Sequence, residues 1–377
     1  MEKKNILFVN DEMVMGGVAR ILCTFLKFID KDKYNVDLLV LHKHGELLKD
    51  IPDNINVIEG SSFFNTIDIP IRECDIANIL SKIRLLFYMK TGLIKNKIIK
   101  ERKRTLKKQY DVEFSAKEGF CTIFTAFGDS LKKLNWIQTD YKVNNFSSNH
   151  MKLVKNALSY IDMNIACSNQ VSDSFKEVFG VNNIITIHNL VDEEKIREMS
   201  CEPCNDFNSN KIKLITVARF HSQKRIDRLI KAYARNKENY SLTIVGDGEL
   251  YGELTSLSKM LGVYEDINWT GILSNPYPLI KKSDLFIMSS LYEGYPTITI
   301  ESLISGTPVL TTEVAGVREQ IVDSNGWVID NDDLAITKFL GDFDYLKTEI
   351  IKKKQNLVDY HYDNKKIMDE YYKLFDN

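Results

Sequence analysis

Short β-rich apolar runs alternate along this chain with stretches whose apolar residues recur at helical spacing. No other feature of the sequence restricts the fold so strongly. Candidate strands are residues 5–10, 34–42, 111–116, 134–139 and 162–168 in the first half, then 211–218, 240–246, 267–271, 284–290 and 307–312. Between them lie helical patterns such as RIDRLIKAYARN and GELYGELTSLSKMLG. Strand and helix in this rhythm predict parallel sheets covered by helices on both faces. The alternation breaks once, at the polar stretch 192–210, DEEKIREMSCEPCNDFNSN, which reads as a hinge between two α/β domains of similar size. A chain of 377 residues suits two such domains. The expectation is two doubly wound, Rossmann-like domains, 1–192 and 193–358, facing a central cleft. By the rule for such sheets, ligands bind at the carboxyl ends of the strands. A last amphipathic pattern, residues 360–375, reads as a closing helix.

An apolar content of 44% and no low-complexity segment exclude a largely disordered chain. The apolar run 6–9 near the start is too short for a signal peptide, and no later run approaches a membrane span. A chain of this kind is expected in the cytosol. Six cysteines (23, 74, 121, 167, 201 and 204) are scattered. Cys23 and Cys167 lie in apolar runs and read as buried hydrophobes. Cys201 and Cys204 form a lone CxxC with no second pair, better explained as surface linker than as a metal or redox site.

Charge is uneven. Residues 1–190 hold 27 Lys and Arg against 22 Asp and Glu, while the whole chain carries a net −2. Residues 82–108 alone hold 11 basic residues and one acid, Glu101. Within residues 76–110 these are mixed with Ile, Leu, Phe and Tyr. That composition fits a helix lying on an anionic membrane surface. A solvated helix pair is the plainer reading. Nucleic-acid binding finds no motif, and a pI near 6.4 speaks against it.

Three loops at predicted strand ends carry the candidate chemistry. In Ala218-Arg-Phe-His-Ser-Gln-Lys224, Arg219 and Lys224 supply cations before a helix start, suited to a diphosphate. In Gly246-Asp-Gly-Glu249 the glycines permit backbone approach, and a turn with a capping aspartate explains them equally well. In the third, SLYEGYPTITIESLISGTPV, Glu293 and Glu301 stand with seven residues between them. Gly294, Tyr295, Pro296 and Thr297 form the turn between them, and Pro296 suits a helix start whose free amides face an anion. At helical rise the two glutamates lie roughly 12 Å apart, long enough to straddle a diphosphate. Glu301 also interrupts an apolar run, where an unpartnered Glu is rare. Together these loops point to a nucleotide-sugar site. Asp330-Asn-Asp332 and Asp342-Phe-Asp344 lie away from the strand-end loops, so no Asp-x-Asp metal site is expected and no cofactor is called for.

At these residues the sequence resembles a known family. ARFHSQKRIDRLIKAYA, VGDGE, DLFIMSSLYEGYPTITIESLISGTPVLTT and VAGVREQI look like the donor half of retaining glycosyltransferases of family 4, which have the GT-B fold. Looser matches are NDEMVMGGVAR, YDVEFSAKEG with Glu118-Gly119, LNWIQTDY and IHNLVD, which resemble segments of members that build capsule and surface polysaccharide. The resemblance implies that Arg219 and Lys224 neutralise the leaving diphosphate, aided by amides around Gly16-Gly17 and Pro296-Thr297. It implies that Glu293 holds sugar hydroxyls, Glu301 the ribose and backbone near Ile272 the base. It implies that residues 359–377 cross back onto the first domain, which receives the acceptor. Where relatives have a histidine beside the reacting sugar this chain has Gln138, which can bind a sugar but cannot take a proton. The family's mechanism has the leaving phosphate receive the acceptor proton, so no enzymatic base is obligatory; Asp140 stands nearby as a possible aid.

The expectation is a metal-independent retaining glycosyltransferase, peripheral on the inner face of the cell membrane. It would pass a sugar from a UDP-linked donor to a lipid-linked glycan. The alternatives are a non-catalytic GT-B protein that binds a glycan or a partner enzyme, and a sugar-nucleotide epimerase.

Overall fold

The computed structural model describes residues 3–67, 69, 71, 74–143, 146–204 and 210–376. It divides into two compact units, Met1–Leu190 with Asn364–Asn377, and Val191–Asp363.

The first unit is built on seven parallel strands: β1 (Lys4–Asn10), β2 (Tyr34–Val40), β3 (Asn56–Glu59), β4 (Val112–Ser115), β5 (Lys132–Ile137), β6 (Met163–Ala166) and β7 (Ile184–Thr186). Their order is β3-β2-β1-β4-β5-β6-β7. The helices are α1 (Gly17–Phe28), α2 (Ile76–Thr91), α3 (Ile94–Thr105), α4 (Phe120–Ala126), α5 (Ser148–Leu158) and α6 (Asn169–Phe179). Strands β1 and β4 pair in register from Ile6 with Val112 to Val9 with Ser115. The strand order reverses between them, which makes this the crossing point of the sheet.

The second unit opens with α7 (Glu193–Met199) and then repeats the plan. Its strands are β8 (Ile212–Val217), β9 (Tyr240–Val245), β10 (Ile267–Gly271), β11 (Leu285–Met288), β12 (Val309–Thr312) and β13 (Gly326–Ile329). They run parallel in the order β10-β9-β8-β11-β12-β13, with the crossing point between β8 and β11. The helices are α8 (Ile226–Asn236), α9 (Tyr251–Met260), α10 (Tyr277–Lys282), α11 (Thr297–Ile304), α12 (Ala335–Gly341) and α13 (Phe343–Asn356). Successive residues of a strand face opposite sides. Leu214, Leu285 and Ile287 therefore pack with α8, α9, α12 and α13, while Ile215, Phe286 and Met288 pack on the other face with residues of α10 and α11.

A final helix, α14 (Asn364–Asp376), belongs to the first unit. Its Tyr371 and Phe375 join Phe8, Phe25, Phe114 and Trp136 in an aromatic core. The buried Trp136 indole donates to Tyr371 Oη at 2.6 Å, so both aromatic polar groups are satisfied without water.

Two features of the sequence reading change. The stretch 192–210 is not all linker: residues 193–199 form α7, capped by Asp192 Oδ1 accepting from the Lys195 amide. Arg197 ties this helix down through Glu193 and the carbonyl of Tyr360. Residues 205–209 of that stretch lie outside the described residues. Strands β3, β7 and β13 were not among the candidate strands, and each lies at an edge of its sheet.

Candidate functional site

In the second unit the loops after β8 and β11 meet at the crossing point. Lys224 ends a 3-10 turn, Ser222–Lys224, and its Nζ lies 2.5 Å from Glu293 Oε1. Ser290 Oγ donates to the same oxygen at 2.6 Å, and Gln223 Nε2 approaches Oε2 at 3.4 Å. The two loops are also joined by backbone. The Leu291 amide donates to Gln223 O at 2.7 Å, Gln223 Nε2 to Tyr292 O at 2.7 Å, and Ser289 Oγ to Lys224 O at 2.8 Å. The Glu293 side chain is 11% exposed. A carboxylate so enclosed needs its counter-charge, and Lys224 supplies it. An ammonium has three donors, so Lys224 keeps capacity for a second anion. Arg219 is different. It is exposed, and among the described residues its guanidinium has no hydrogen-bond or ion-pair partner.

The chain then turns through Gly294-Tyr295 into α11. Pro296 caps this eight-residue helix with no side-chain cap bond, so its first amides are open to an anion. Glu301 sits one turn in, half-buried, accepting from Thr297 Oγ1 at 2.9 Å and Tyr277 Oη at 3.2 Å. Glu293 precedes the helix and Glu301 lies within it. The Tyr295 ring is buried, its hydroxyl 3.1 Å from that of Tyr362, and burial pushes that phenol well above the usual range. The ring therefore serves packing, not a ligand-facing surface.

Backbone proximity explains two glycines. A Cβ on Gly246, at φ +137°, would stand 1.9 Å from Ala218 O; one on Gly248, at φ +158°, would stand 2.6 Å from Phe220 O. The VGDG loop thus holds the 218–224 loop in place by contact that any side chain would prevent. Arg225 is the one described non-glycine residue at positive φ, 46°, where it ends the turn and begins α8, anchored by Asp227. Ile272, just past β10, is 78% exposed.

The first unit presents a different site. A cavity of about 1000 Å³ opens among α2, α4, α5 and the carboxyl ends of β1, β4 and β5. Leu85, Leu86, Met89, Phe120, Ile123 and Leu153 make its apolar wall, and Asp11, Lys117, Glu118, Thr139 and His150 its polar end. Lys117 Nζ bonds Asp11 Oδ2 at 2.6 Å. Burial opposes the charge on Lys117, but Asp11 outweighs it and holds the amine above the usual lysine range. Burial pushes the Glu118 carboxyl up and the His150 imidazole down. His150 stacks on Phe146 at 4.7 Å, and its Nε2 is buried without a hydrogen-bond partner among the described residues. Sequence reasoning missed His150: it is a lone histidine on a helix, with no motif around it.

Gly16 caps α1 and Gly17 begins it, both exposed. Gly16 has φ −170°, and a Cβ at Gly17 would meet nothing within 4 Å. The fold itself requires neither glycine. Gln138, at the end of β5, exchanges two bonds with Asn189, Nε2 to Oδ1 at 3.0 Å and Nδ2 to Oε1 at 2.9 Å. Asp140 lies two residues beyond Gln138. It is buried, and its Oδ1 accepts from Ser174 Oγ at 2.5 Å and from the Lys142 amide at 2.9 Å, so it fastens a turn to α6. Among the described residues no group of three His, Cys, Asp or Glu is arranged to hold a metal ion, and no helix is long and apolar enough to cross a membrane. Asp332 accepts from the amides of Leu334 and Ala335, capping α12. Cys201 and Cys204 are free thiols.

Two doubly wound parallel sheets, each with polar loops at its crossing point, define the GT-B class. Anabaena HepE in complex with UDP-glucose shares this fold at TM-score 0.68 and 16% identity, over 94% of this chain and 93% of that one. Residues 203–358 match the family model described as Glycosyl transferases group 1. Among curated proteins, an uncharacterised glycosyltransferase of Methanocaldococcus jannaschii is 28% identical over 51% of this chain and 50% of its own length. An N-acetylgalactosamine-N,N'-diacetylbacillosaminyl-diphospho-undecaprenol 4-alpha-N-acetylgalactosaminyltransferase of Campylobacter jejuni is 33% identical over 36% of this chain and 37% of its own. The chain thus spans half or less of the length of these relatives.

Proposed function

We propose that this protein is a retaining, metal-independent glycosyltransferase of surface-polysaccharide synthesis, taking a sugar from a UDP-linked donor. The observation that carries the reading is the Lys224–Glu293 pair beside the open start of α11, at the crossing point of the second sheet. Arg219, Lys224 and the amides from Pro296-Thr297 would take the diphosphate, whose charge they stabilise as it leaves. Glu293, oriented by Lys224 and Ser290, would accept from sugar hydroxyls. Glu301, steadied by Thr297 and Tyr277, would meet the ribose, and backbone near Ile272 the base. The amides at Gly16-Gly17 would face the donor, and the open space beside Gly17 supports that role. The bound UDP-glucose of HepE supports a uridine donor.

The cavity of the first unit would hold the acceptor, with apolar residues along one wall and Glu118, Thr139 and His150 at the strand ends. The polyprenyl diphosphate in the name of the Campylobacter relative supports a lipid-linked glycan. An exposed apolar stripe on α2 (Ile76, Leu80, Ile83 and Phe87), flanked by the cations of α2 and α3, would rest on the anionic inner face of the cell membrane. Gln138 supports a second reading. Its amide is committed to Asn189 and cannot take a proton, which favours a non-catalytic glycan- or partner-binding protein.

Nucleotide release from UDP-, GDP- and ADP-sugars, with and without a lipid extract of the source organism, separates the two. Extract-dependent release from a UDP-sugar is expected, falling about a thousandfold in Glu293→Ala. Absence of release with every donor would favour the binding protein.

A further inference from the structure

A small polar recess of about 270 Å³ lies between α2, α3 and the 3-10 turn Ser62–Phe64 of the first unit. Helix α3 contributes Lys97, Glu101 and Arg104, spaced i, i+4 and i+7 and so on one face. Helix α2 contributes Ser81 and Arg84, one turn apart, and Ser62 adds a third wall. The Phe63 ring covers the cations, its centroid 4.5 Å from Lys97 Nζ and 5.8 Å from the Arg84 guanidinium. An aromatic face positions a cation without neutralising it. Only one carboxylate is present. Glu101 lies 2.5 Å from Lys97 and 3.4 Å from Arg104, and Arg84 has no acidic partner among the described residues. Three cations against one acid leave an excess of two positive charges in a recess with two hydroxyls. Burial works against the charge on Glu101, yet hydrogen bonds from Lys97 and Ser61 outweigh it and hold the carboxyl below its usual range.

Position supplies the second half of the inference. Arg84 follows Ile83 on α2, about 100° round the helix, so the recess opens directly beside the exposed stripe of Ile76, Leu80, Ile83 and Phe87. An occupant there meets cations and hydroxyls while its neighbour surface is apolar. We propose that this recess binds the phosphate group of an anionic glycerophospholipid while the α2 stripe enters the bilayer. The proposal rests on the membrane-surface reading above and makes it selective: one built site reads the headgroup, in place of a diffuse positive field.

Sedimentation with phosphatidylcholine vesicles, with and without phosphatidylglycerol, tests it. Arg84→Gln/Arg104→Gln alters the recess, and Lys100→Gln/Lys103→Gln removes the same charge from exposed α3 positions outside it. The recess variant is expected to weaken binding to phosphatidylglycerol vesicles about tenfold more than the control pair, because it loses charge-assisted bonds as well as field. If the glutamine variant does not fold, Arg84→Lys/Arg104→Lys keeps the charge and should still bind more weakly than the unaltered protein. Equal losses in recess and control pairs would overturn the recess and leave membrane docking standing. Failure of the unaltered protein to bind any vesicle would overturn both. Free inorganic phosphate binding as tightly as vesicle phosphatidylglycerol would assign the recess to a solute anion and overturn the headgroup.

Discussion

The two sheets cross in the same order, β3-β2-β1-β4-β5-β6 in the first unit and β10-β9-β8-β11-β12-β13 in the second, yet opposite chemistry stands at the two crossings. In the second unit the loops bind each other so fully that Glu293 and Glu301 arrive already oriented by their neighbours. In the first, the loops border a cavity of about 1000 Å³ lined in part by Leu85, Leu86, Met89, Phe120 and Leu153. Topology chooses where a ligand can sit, and loop residues choose its kind. A tight polar crossing suits a charged ligand of fixed shape; a roomy amphipathic one suits a ligand that is part apolar.

Three changes sharpen or break this contrast. The largest effect is expected from Gly246→Ala, because the second crossing depends on backbone lying where a Cβ cannot go. Positive φ and the contact with Ala218 O together should cost about 3 kcal/mol, seen as a lower denaturation midpoint together with weaker donor binding. A neutral result would mean that the 218–224 loop is not fixed by backbone contact. Next is Gln138→Ala in the first unit, which strips two bonds from the buried Asn189. A loss of about 2 kcal/mol is expected, read by urea denaturation; no loss would make Gln138 available to ligand and weaken the binding-protein reading. The smallest effect concerns His150. Burial lowers its folded pKa below the ordinary 6.5, so the unfolded chain takes up the proton first. Stability is therefore whole above about pH 6.5 and falls as pH drops toward the folded value. His150→Phe keeps the stack on Phe146 and should flatten that part of the stability profile; an unchanged slope would mean that the imidazole is solvated.

The second crossing was legible in the sequence because its groups lie in two short continuous stretches, 219–224 and 290–301. Glu301 announced itself by interrupting an apolar run, and the structure gives it Thr297 and Tyr277 as partners. The cavity of the first unit could not be read the same way. Its lining comes from residues as distant as Asp11 and Asn156, and no local spacing gathers them. The missed strands have a common cause. Strands β3, β7 and β13 are edges of three or four residues, partly exposed on one or both faces, so they lack the apolar run that marks a central strand. What the sequence did not show for Asp140 is its partner: the carboxylate is bound into a turn by Ser174. The inward course of the Tyr295 ring could not be read from the motif either.

The return of α14 has a consequence for how the chain is made. Trp136 meets Tyr371 across 235 residues of sequence, and Phe25 and Phe114 wait for the same helix. During synthesis the whole second unit leaves the ribosome before the first can close. At roughly 5–20 residues per second, the aromatic face of the nascent first unit stays uncovered for tens of seconds, a long exposure for a sticky surface. Such long-range closure also makes a slow last step of folding. The chain's sensitivity to truncation should therefore be centred on Tyr371 and Phe375.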